Sequence, residues 1–77
     1  MDRITNPIAD KVAATIARKG RSKKSVAEGA GIALTTFNRH LVDGEFTVRE
    51  LANVAHELGV SLSDFIPADL LAAPIAA

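Results

Sequence analysis

Apolar side chains recur along this chain at intervals of three and four residues, and short polar or glycine-containing segments separate the apolar runs. This spacing places the apolar side chains on one face of an α-helix, because about 3.6 residues complete a helical turn. No segment alternates apolar and polar residues with a period of two over a useful length, so no strand is predicted. The pattern therefore predicts an all-α fold, a compact bundle of about five short helices.

The first two predicted helices each end at a glycine. Pro7 suits a first helical position because its missing N–H needs no partner there, and Gly20 can end this helix near Lys19. Ser22 is a suitable N-cap for the second helix, and Gly31 supplies the left-handed turn after it. The side chains expected to face the core are Ile8, Ala9, Val12, Ala13, Ile16 and Ala17 in the first helix, and Val26, Ala27 and Ala30 in the second.

Three further helices are predicted by the same reasoning. A third is expected over residues 33–42, and a fourth begins at the capping box of Thr47 and Glu50, in which each side chain serves the other's backbone N–H. Gly59 ends the fourth helix, and a very short fifth helix follows it before Pro67. Their apolar faces are Leu34, Phe37 and Leu41 in the third helix, Leu51, Val54, Ala55 and Leu58 in the fourth, and Leu62, Phe65 and Ile66 in the fifth.

Length and composition favour one small soluble domain. The 77 residues allow a single modest core and leave little room for an enzyme with a deep pocket. The chain has no cysteine, so neither a disulfide nor a thiolate metal site is possible, and His40 and His56 alone do not make a metal site. The most apolar stretch, 66–77, is too short to cross a bilayer, and the N-terminus lacks the apolar core of a signal peptide. We expect a cytoplasmic protein that is not an enzyme and takes no cofactor, metal or small-molecule substrate.

Charge is strongly polarised along the chain, although nine basic and nine acidic residues cancel overall. Residues 1–40 carry a net charge of +5 and residues 41–77 a net charge of −5. Five basic residues without an acid among them are Arg18, Lys19, Arg21, Lys23 and Lys24. Such a cluster suits a phosphate clamp, but it is also typical of a solvated helix end, and charge alone leaves both interpretations open. The acids expected on solvated helix faces or as caps are Glu50, Glu57 and Asp64.

The segment from Lys23 to Leu41 resembles the helix-turn-helix of the lambda-repressor-like (Cro/repressor, XRE) family. The matching residues are Val26 and Ala27, Gly31 four positions after Ala27, Ile32, and Phe37 ten positions after Ala27. The resemblance extends over roughly residues 6–66, through Phe46–Leu51 and Leu58–Ser61. Two positions depart from the family pattern. His40 stands where the family usually has an apolar residue, a role that Leu41 is expected to take, and Gly44 comes one residue late.

The resemblance implies a function in sequence-specific binding of double-stranded DNA, as a phage or prokaryotic Cro-like transcriptional repressor. Residues 1–66 would form the helix-turn-helix domain, and residues 67–77 an apolar tail. The third helix would read the major groove, and the helical arc opposite Phe37 is centred on Arg39 and Thr35, flanked by Thr36 and Asn38. The family's base-facing positions correspond to Ala33, Leu34, Thr35, Asn38 and Arg39. Leu34 is ambiguous, because the helical arc assigns it to the core.

The same resemblance implies phosphate contacts and a dimer. Lys23 and Lys24 match phosphate-contacting positions, and the complete set of phosphate candidates is Arg18, Lys19, Arg21, Ser22, Lys23, Lys24 and His40. Proteins of this class commonly bind as two-fold dimers, and exposed apolar groups usually have a partner. We therefore expect a homodimer on DNA with a contact formed by Leu62, Phe65, Ile66, Leu70, Leu71 and Ile75, the alternative being a disordered tail.

A second function remains open at this point. The acidic C-terminal half and the apolar tail would also suit a protein-binding regulator or antitoxin that uses the same fold, with DNA binding secondary.

Overall fold

The computed structural model describes residues 7–66, which form four α-helices and one 3₁₀ turn. The elements are α1 (Pro7–Arg18), α2 (Lys23–Ala30), α3 (Leu34–Asp43), α4 (Val48–Leu58) and the 3₁₀ turn (Leu62–Phe65). The all-α prediction is confirmed, and no strand occurs between residues 7 and 66. The predicted count of five helices was wrong, because the last segment closes with i→i+3 hydrogen bonds, such as Ile66 N–H to the Ser63 carbonyl at 3.1 Å.

Local capping signals place the helix boundaries close to their predicted positions. The Ser22 hydroxyl accepts the Ser25 N–H at 3.0 Å at the start of α2. At the start of α4, Thr47 accepts the Glu50 N–H at 3.0 Å and Glu50 accepts the Thr47 N–H at 2.9 Å, which is the predicted capping box. Helix α1 ends at Arg18, one residue before the predicted end. These boundaries could be predicted because each cap involves residues only three positions apart.

The connection between α2 and α3 is three residues long and begins at Gly31. Gly31 has φ +74° and ψ +29°, a left-handed conformation that L-residues with a side chain rarely adopt. Its N–H donates to the Glu28 carbonyl at 3.1 Å, and the Ile32 N–H donates to the Ala27 carbonyl at 2.9 Å. This pair of bonds is a Schellman motif, which satisfies the last carbonyls of α2 and turns the chain directly into α3.

The core lies where the four helices meet. Helix α2 packs against α3 and α4, α1 packs against α3 and the 3₁₀ turn, and α4 also contacts that turn. The largest fully buried side chains are Phe37, Phe65, Val12, Val26 and Val54. Most of the predicted core is confirmed, but Ala13 and Ala17 are exposed and Thr15 is buried. The Thr15 hydroxyl is satisfied within α1, where it donates to the Lys11 carbonyl at 2.8 Å.

Helix α3 is rotated relative to the prediction. Phe37 and His40 are its buried residues, Leu41 is half-buried against the core, and Leu34 is 39% exposed. His40 thus occupies the buried position that was expected for Leu41. At about 100° per residue, the centre of the arc formed by Phe37 and His40 lies roughly 60° from the centre of the predicted arc of Leu34, Phe37 and Leu41. The rotation moves Leu34 out of the core and towards the surface that carries Asn38.

Candidate nucleic-acid interface

A surface groove of about 520 Å³ lies between the first three helices. Its lining residues are Ala13 of α1, Lys23 and Lys24 of α2, and Leu34, Asn38, Leu41 and Val42 of α3. The groove places two predicted phosphate ligands, Lys23 and Lys24, beside two predicted base-reading residues, Leu34 and Asn38. Residues from separate parts of the chain therefore share one surface, which combines apolar side chains with two lysines and an asparagine.

Most predicted base-reading residues lie on the exposed side of α3. Thr35, Asn38 and Arg39 are exposed within the helix, and Ala33 is exposed immediately before it. Thr36 is half-buried, so it has less of its side chain available for contact. Leu34 is exposed and lies one turn before Asn38, so its position agrees with the family pattern and not with the core position that the helical arc predicted.

The predicted phosphate ligands differ in their exposure and in their partners. Lys23 and Lys24 are exposed in the first turn of α2, where unsatisfied backbone N–H groups also favour anions. Arg18 and Lys19 are exposed at the end of α1, and neither lines the groove. Ser22 is exposed, and its hydroxyl serves as the N-cap of α2.

Arg21, a predicted phosphate ligand, is half-buried and forms hydrogen bonds within the protein. Its Nη2 donates to Glu57 Oε2 at 2.7 Å, and its Nη1 donates to the Glu57 backbone carbonyl at 3.2 Å. Its Nε donates to Ser25 Oγ at 3.3 Å. Three of its donor nitrogens therefore already have acceptors, and the guanidinium links the start of α2 to the end of α4. Glu57 itself is paired and half-buried, not on a solvated face as predicted.

His40 is buried, which contradicts its predicted role as a surface phosphate contact. It is 9% exposed, with Nδ1 lying 3.4 Å from Asp43 Oδ1 and Nε2 lying 3.5 Å from Glu50 Oε1. Its ring also packs against Phe46, with the two ring centroids 5.3 Å apart. An imidazole can occupy this position because both ring nitrogens face carboxylates. His40 therefore secures the corner between α3 and α4 and is not available to DNA.

Asp43 also stabilises this corner, because its carboxylate accepts a hydrogen bond from a backbone N–H just after α3. Its Oδ1 accepts the Glu45 backbone N–H at 2.8 Å, and this hydrogen bond holds the pKa of the Asp43 carboxyl below its ordinary value. Partial burial opposes this effect, while His40 and Arg39 lower the pKa further by their proximity. The ionised carboxylate is thus the form that the folded corner favours.

The predicted dimer contact is described only in part. Phe65 is fully buried in the core of the chain, so its side chain has no area left for a second subunit. Leu62 and Ile66 are half-buried against the same core. Leu70, Leu71 and Ile75 lie outside the described residues. Two exposed apolar side chains were not predicted: Val42, 83% exposed at the end of α3, and Val48, 72% exposed at the start of α4.

Sequence reasoning missed the partners of Arg21 and His40 for different reasons. Glu57 is 36 positions from Arg21, and no local pattern joins two residues that far apart. Asp43 follows His40 at the i+3 spacing of helix neighbours, which could have indicated their contact. Glu50 was predicted as a cap, and it caps α4 while it also faces His40.

Three further observations bear on the class of protein. No group of His, Asp and Glu side chains among residues 7–66 could hold a metal ion. None of the described helices combines the length and apolar character needed to cross a bilayer. No protein-family model matches this chain, and neither a curated protein nor a solved structure is significantly similar to it. The resemblance to the lambda-repressor-like family therefore depends on the residues of the chain itself and stays a prediction.

Proposed function

We propose that this protein is a sequence-specific, double-stranded-DNA-binding transcriptional regulator of the Cro-like repressor type. In this proposal α2, the turn at Gly31 and α3 act as a helix-turn-helix, and α3 enters the major groove. The observation that carries the proposal is the shared groove, in which Lys23 and Lys24 lie beside Leu34 and Asn38. Phosphate-binding and base-reading side chains on a single face are what recognition of a duplex requires.

The exposed side of α3 offers four kinds of base contact. Arg39 can donate two hydrogen bonds to guanine O6 and N7, and Asn38 can pair with adenine N6 and N7. Thr35 can bond a base edge through its hydroxyl. Leu34 is apolar and exposed beside Asn38, and it suits the 5-methyl group of a thymine.

Phosphate binding is assigned to the first turn of α2. Lys23 and Lys24 supply positive charge there, and the helix N-terminus adds backbone N–H donors. Arg18 and Lys19 extend the basic surface beyond the groove. Each phosphate contact releases counterions, so the affinity for any duplex should fall as the salt concentration rises.

Repression would follow from occupancy of a promoter and exclusion of polymerase, without chemistry. A homodimer would place two copies of α3 in successive major grooves, about 34 Å apart, and would require a two-fold operator. Such a regulator acts in the cytoplasm of a prokaryotic cell, where the genome lies.

The proposal is tested by selection of bound duplexes from a randomised library, followed by measurement of Kd for the selected and a scrambled duplex. We expect one recurring sequence, and a linear fall of log K with log salt between about 50 and 200 mM. Arg39→Ala should cost about 1–3 kcal/mol on the selected duplex and relax the base preference, whereas Lys23→Ala should weaken both duplexes equally. Absence of enrichment, together with salt-independent binding, would contradict the proposal.

A protein-binding regulator or antitoxin is the second candidate function. The observation in its favour is Val48, which is 72% exposed at the start of α4 and outside the groove, where an apolar side chain can contact another protein. In that case Val48→Ser should abolish binding to the protein partner and leave affinity for duplexes unchanged. The selection experiment separates the two candidates, since a chain that acts mainly through a protein partner would enrich no sequence.

A further inference from the structure

Arg21 and Glu57 form the connection between the start of α2 and the end of α4. The guanidinium donates both to the Glu57 carboxylate and to the Glu57 backbone carbonyl, which lies in the last turn of α4. Carbonyls in the last turn of a helix have no partner within the helix, so Arg21 also caps the C-terminus of α4. The two side chains are 31% and 28% exposed, so neither belongs to the freely solvated surface.

Gly29 has no side chain, and the Glu57 carboxylate occupies the space where a Cβ at this position would lie. A Cβ built on Gly29 would overlap the Glu57 carboxylate, including its Cδ and Oε1 atoms. Gly29 lies inside α2, where glycine is among the least favourable residues for a helix. The close approach of the carboxylate gives this glycine a physical reason, since a residue with a Cβ would require the Glu57 carboxylate to move from this position.

A short series of hydrogen bonds joins Arg21 to the first turn of α2. Arg21 Nε donates to Ser25 Oγ, which donates to the Ser22 carbonyl at 3.0 Å, while Ser22 Oγ caps α2. Lys23 and Lys24 project from this same turn. Besides the direct packing of α2 on α4, Arg21 thus connects the turn that carries the two lysines to the end of α4.

We propose that Arg21 and Glu57 are positioning residues for DNA binding, which hold the first turn of α2 so that Lys23 and Lys24 meet the phosphates. This inference rests on the proposed function. It differs from the earlier prediction that Arg21 binds phosphate itself, because three guanidinium N–H groups already donate to Ser25 and Glu57 and the two lysines carry the phosphate contact instead. The pair thus acts on DNA through the two lysines.

The test compares Kd, salt dependence and thermal stability for Glu57→Gln, Arg21→Lys and Arg21→Ala, with Lys23→Ala as the matched loss of a phosphate contact. If the pair has a positioning role, Glu57→Gln and both Arg21 variants raise Kd about two- to thirtyfold, as is typical when adjacent elements are coupled. Because a displaced turn also weakens the lysine contacts, the readout that identifies positioning is the direction of the Kd change in Glu57→Gln. Lys23→Ala, a direct loss of one phosphate contact, reduces the magnitude of the slope of log K against log salt by about 0.9.

Two other results would overturn the inference. If Arg21 binds phosphate, Glu57→Gln tightens binding by releasing it, Arg21→Lys retains the wild-type slope, and Arg21→Ala loses about 0.9 of it. If the pair serves stability alone, the variants lower the midpoint of thermal unfolding and leave Kd unchanged at a temperature where all of them are folded.

A measurement without DNA separates this inference from the proposed function. The ¹⁵N–¹H signal of Arg21 Nε in the free protein should shift in Glu57→Gln and stay in place in Lys23→Ala. If the Arg21 Nε signal did not shift in Glu57→Gln, the ion pair between Arg21 and Glu57 would be wrong. A shift in this signal, in a protein that binds no duplex, would instead show that the pair exists and that the DNA-binding function is wrong.

Discussion

At the scale of single residues, His40 shows most clearly what the sequence alone could not decide. Its position matches an apolar site of the family pattern, and the structure buries it there between the carboxylates of Asp43 and Glu50. Asp43 is a local neighbour, but Glu50 is brought to His40 only when α4 packs. Without that tertiary contact the helical arc favoured Leu34 and Leu41 as core residues, and the predicted face of α3 was therefore rotated.

His40→Leu tests whether this residue serves the fold or the DNA. Replacement of a buried polar side chain by an apolar one of similar size is often tolerated, so we expect the free energy of unfolding to change by less than about 2 kcal/mol. The salt dependence of duplex binding should not change. His40→Ala, the matched control, should cost about 2–4 kcal/mol because it leaves a cavity beside Phe46. If His40→Leu instead reduced the slope of log K against log salt, the original prediction that His40 contacts a phosphate would be correct.

Leu34→Ala tests whether an apolar side chain reads thymine. In the selected duplex, substitution of uracil for the thymine that faces Leu34 removes one methyl group and should cost about 0.8 kcal/mol. The same substitution should have no effect on Leu34→Ala, because the methyl group then has no apolar partner. A uracil placed outside the recognised sequence is the control. If the uracil substitution cost the wild type and Leu34→Ala the same binding free energy, the contact between Leu34 and the thymine methyl group would be contradicted.

At the scale of elements, helix ends were predictable and helix contacts were not. The capping box of Thr47 and Glu50 and the turn at Gly31 involve residues only a few positions apart, so local patterns located α2, α3 and α4 to within about two residues. The link between Arg21 and Glu57 joins the start of α2 to the end of α4, whereas the sequence predicted a phosphate ligand at Arg21 and a solvated or capping acid at Glu57. Local sequence signals therefore predicted where the helices begin and end, whereas the side-chain contacts between helices depend on tertiary packing.

Gly31→Ala tests the turn that sets α3 against α2. No atom lies within 4 Å of a Cβ built at Gly31, so the cost comes only from its left-handed backbone conformation. We expect the free energy of unfolding, measured by urea denaturation, to fall by about 1–2 kcal/mol. Ala33→Gly, in the same turn but with φ −60°, is the control for added flexibility. A neutral Gly31→Ala would show that the turn adopts another conformation.

The α3–α4 corner should make a pH-dependent contribution to stability through Asp43. Because the pKa of this carboxyl is lowered by the Glu45 N–H, its ionised form stabilises the folded state at pH values above the ordinary pKa of 3.8. This stabilisation is lost as the pH falls through the lowered pKa. The difference in unfolding free energy between wild type and Asp43→Asn should therefore be constant near neutral pH and shrink below 3.8. A difference independent of pH would exclude this role.

At the scale of the whole molecule, a net charge of zero conceals two halves of the chain with opposite net charge. Sequence alone showed that the first forty residues are basic and the rest acidic, and the resemblance indicated which helix would face DNA. The structure adds that Lys23 and Lys24 share a groove with Leu34 and Asn38. It also shows that two of the predicted phosphate ligands have partners within the chain: Arg21 is paired with Glu57, and His40 is buried beside Glu50. The expected interface is therefore smaller than the basic sequence suggested.

The most direct test of this interface is an NMR titration of the ¹⁵N-labelled chain with the selected duplex at low salt. We predict that the largest amide shift changes fall on the first turn of α2 and on the exposed side of α3, at Lys23, Lys24, Thr35, Asn38 and Arg39. The exposed face of α4, around Ala52 and His56, should change little. Shift changes confined to α4, or no changes at all with an excess of duplex, would contradict the proposal that this protein reads DNA through α3.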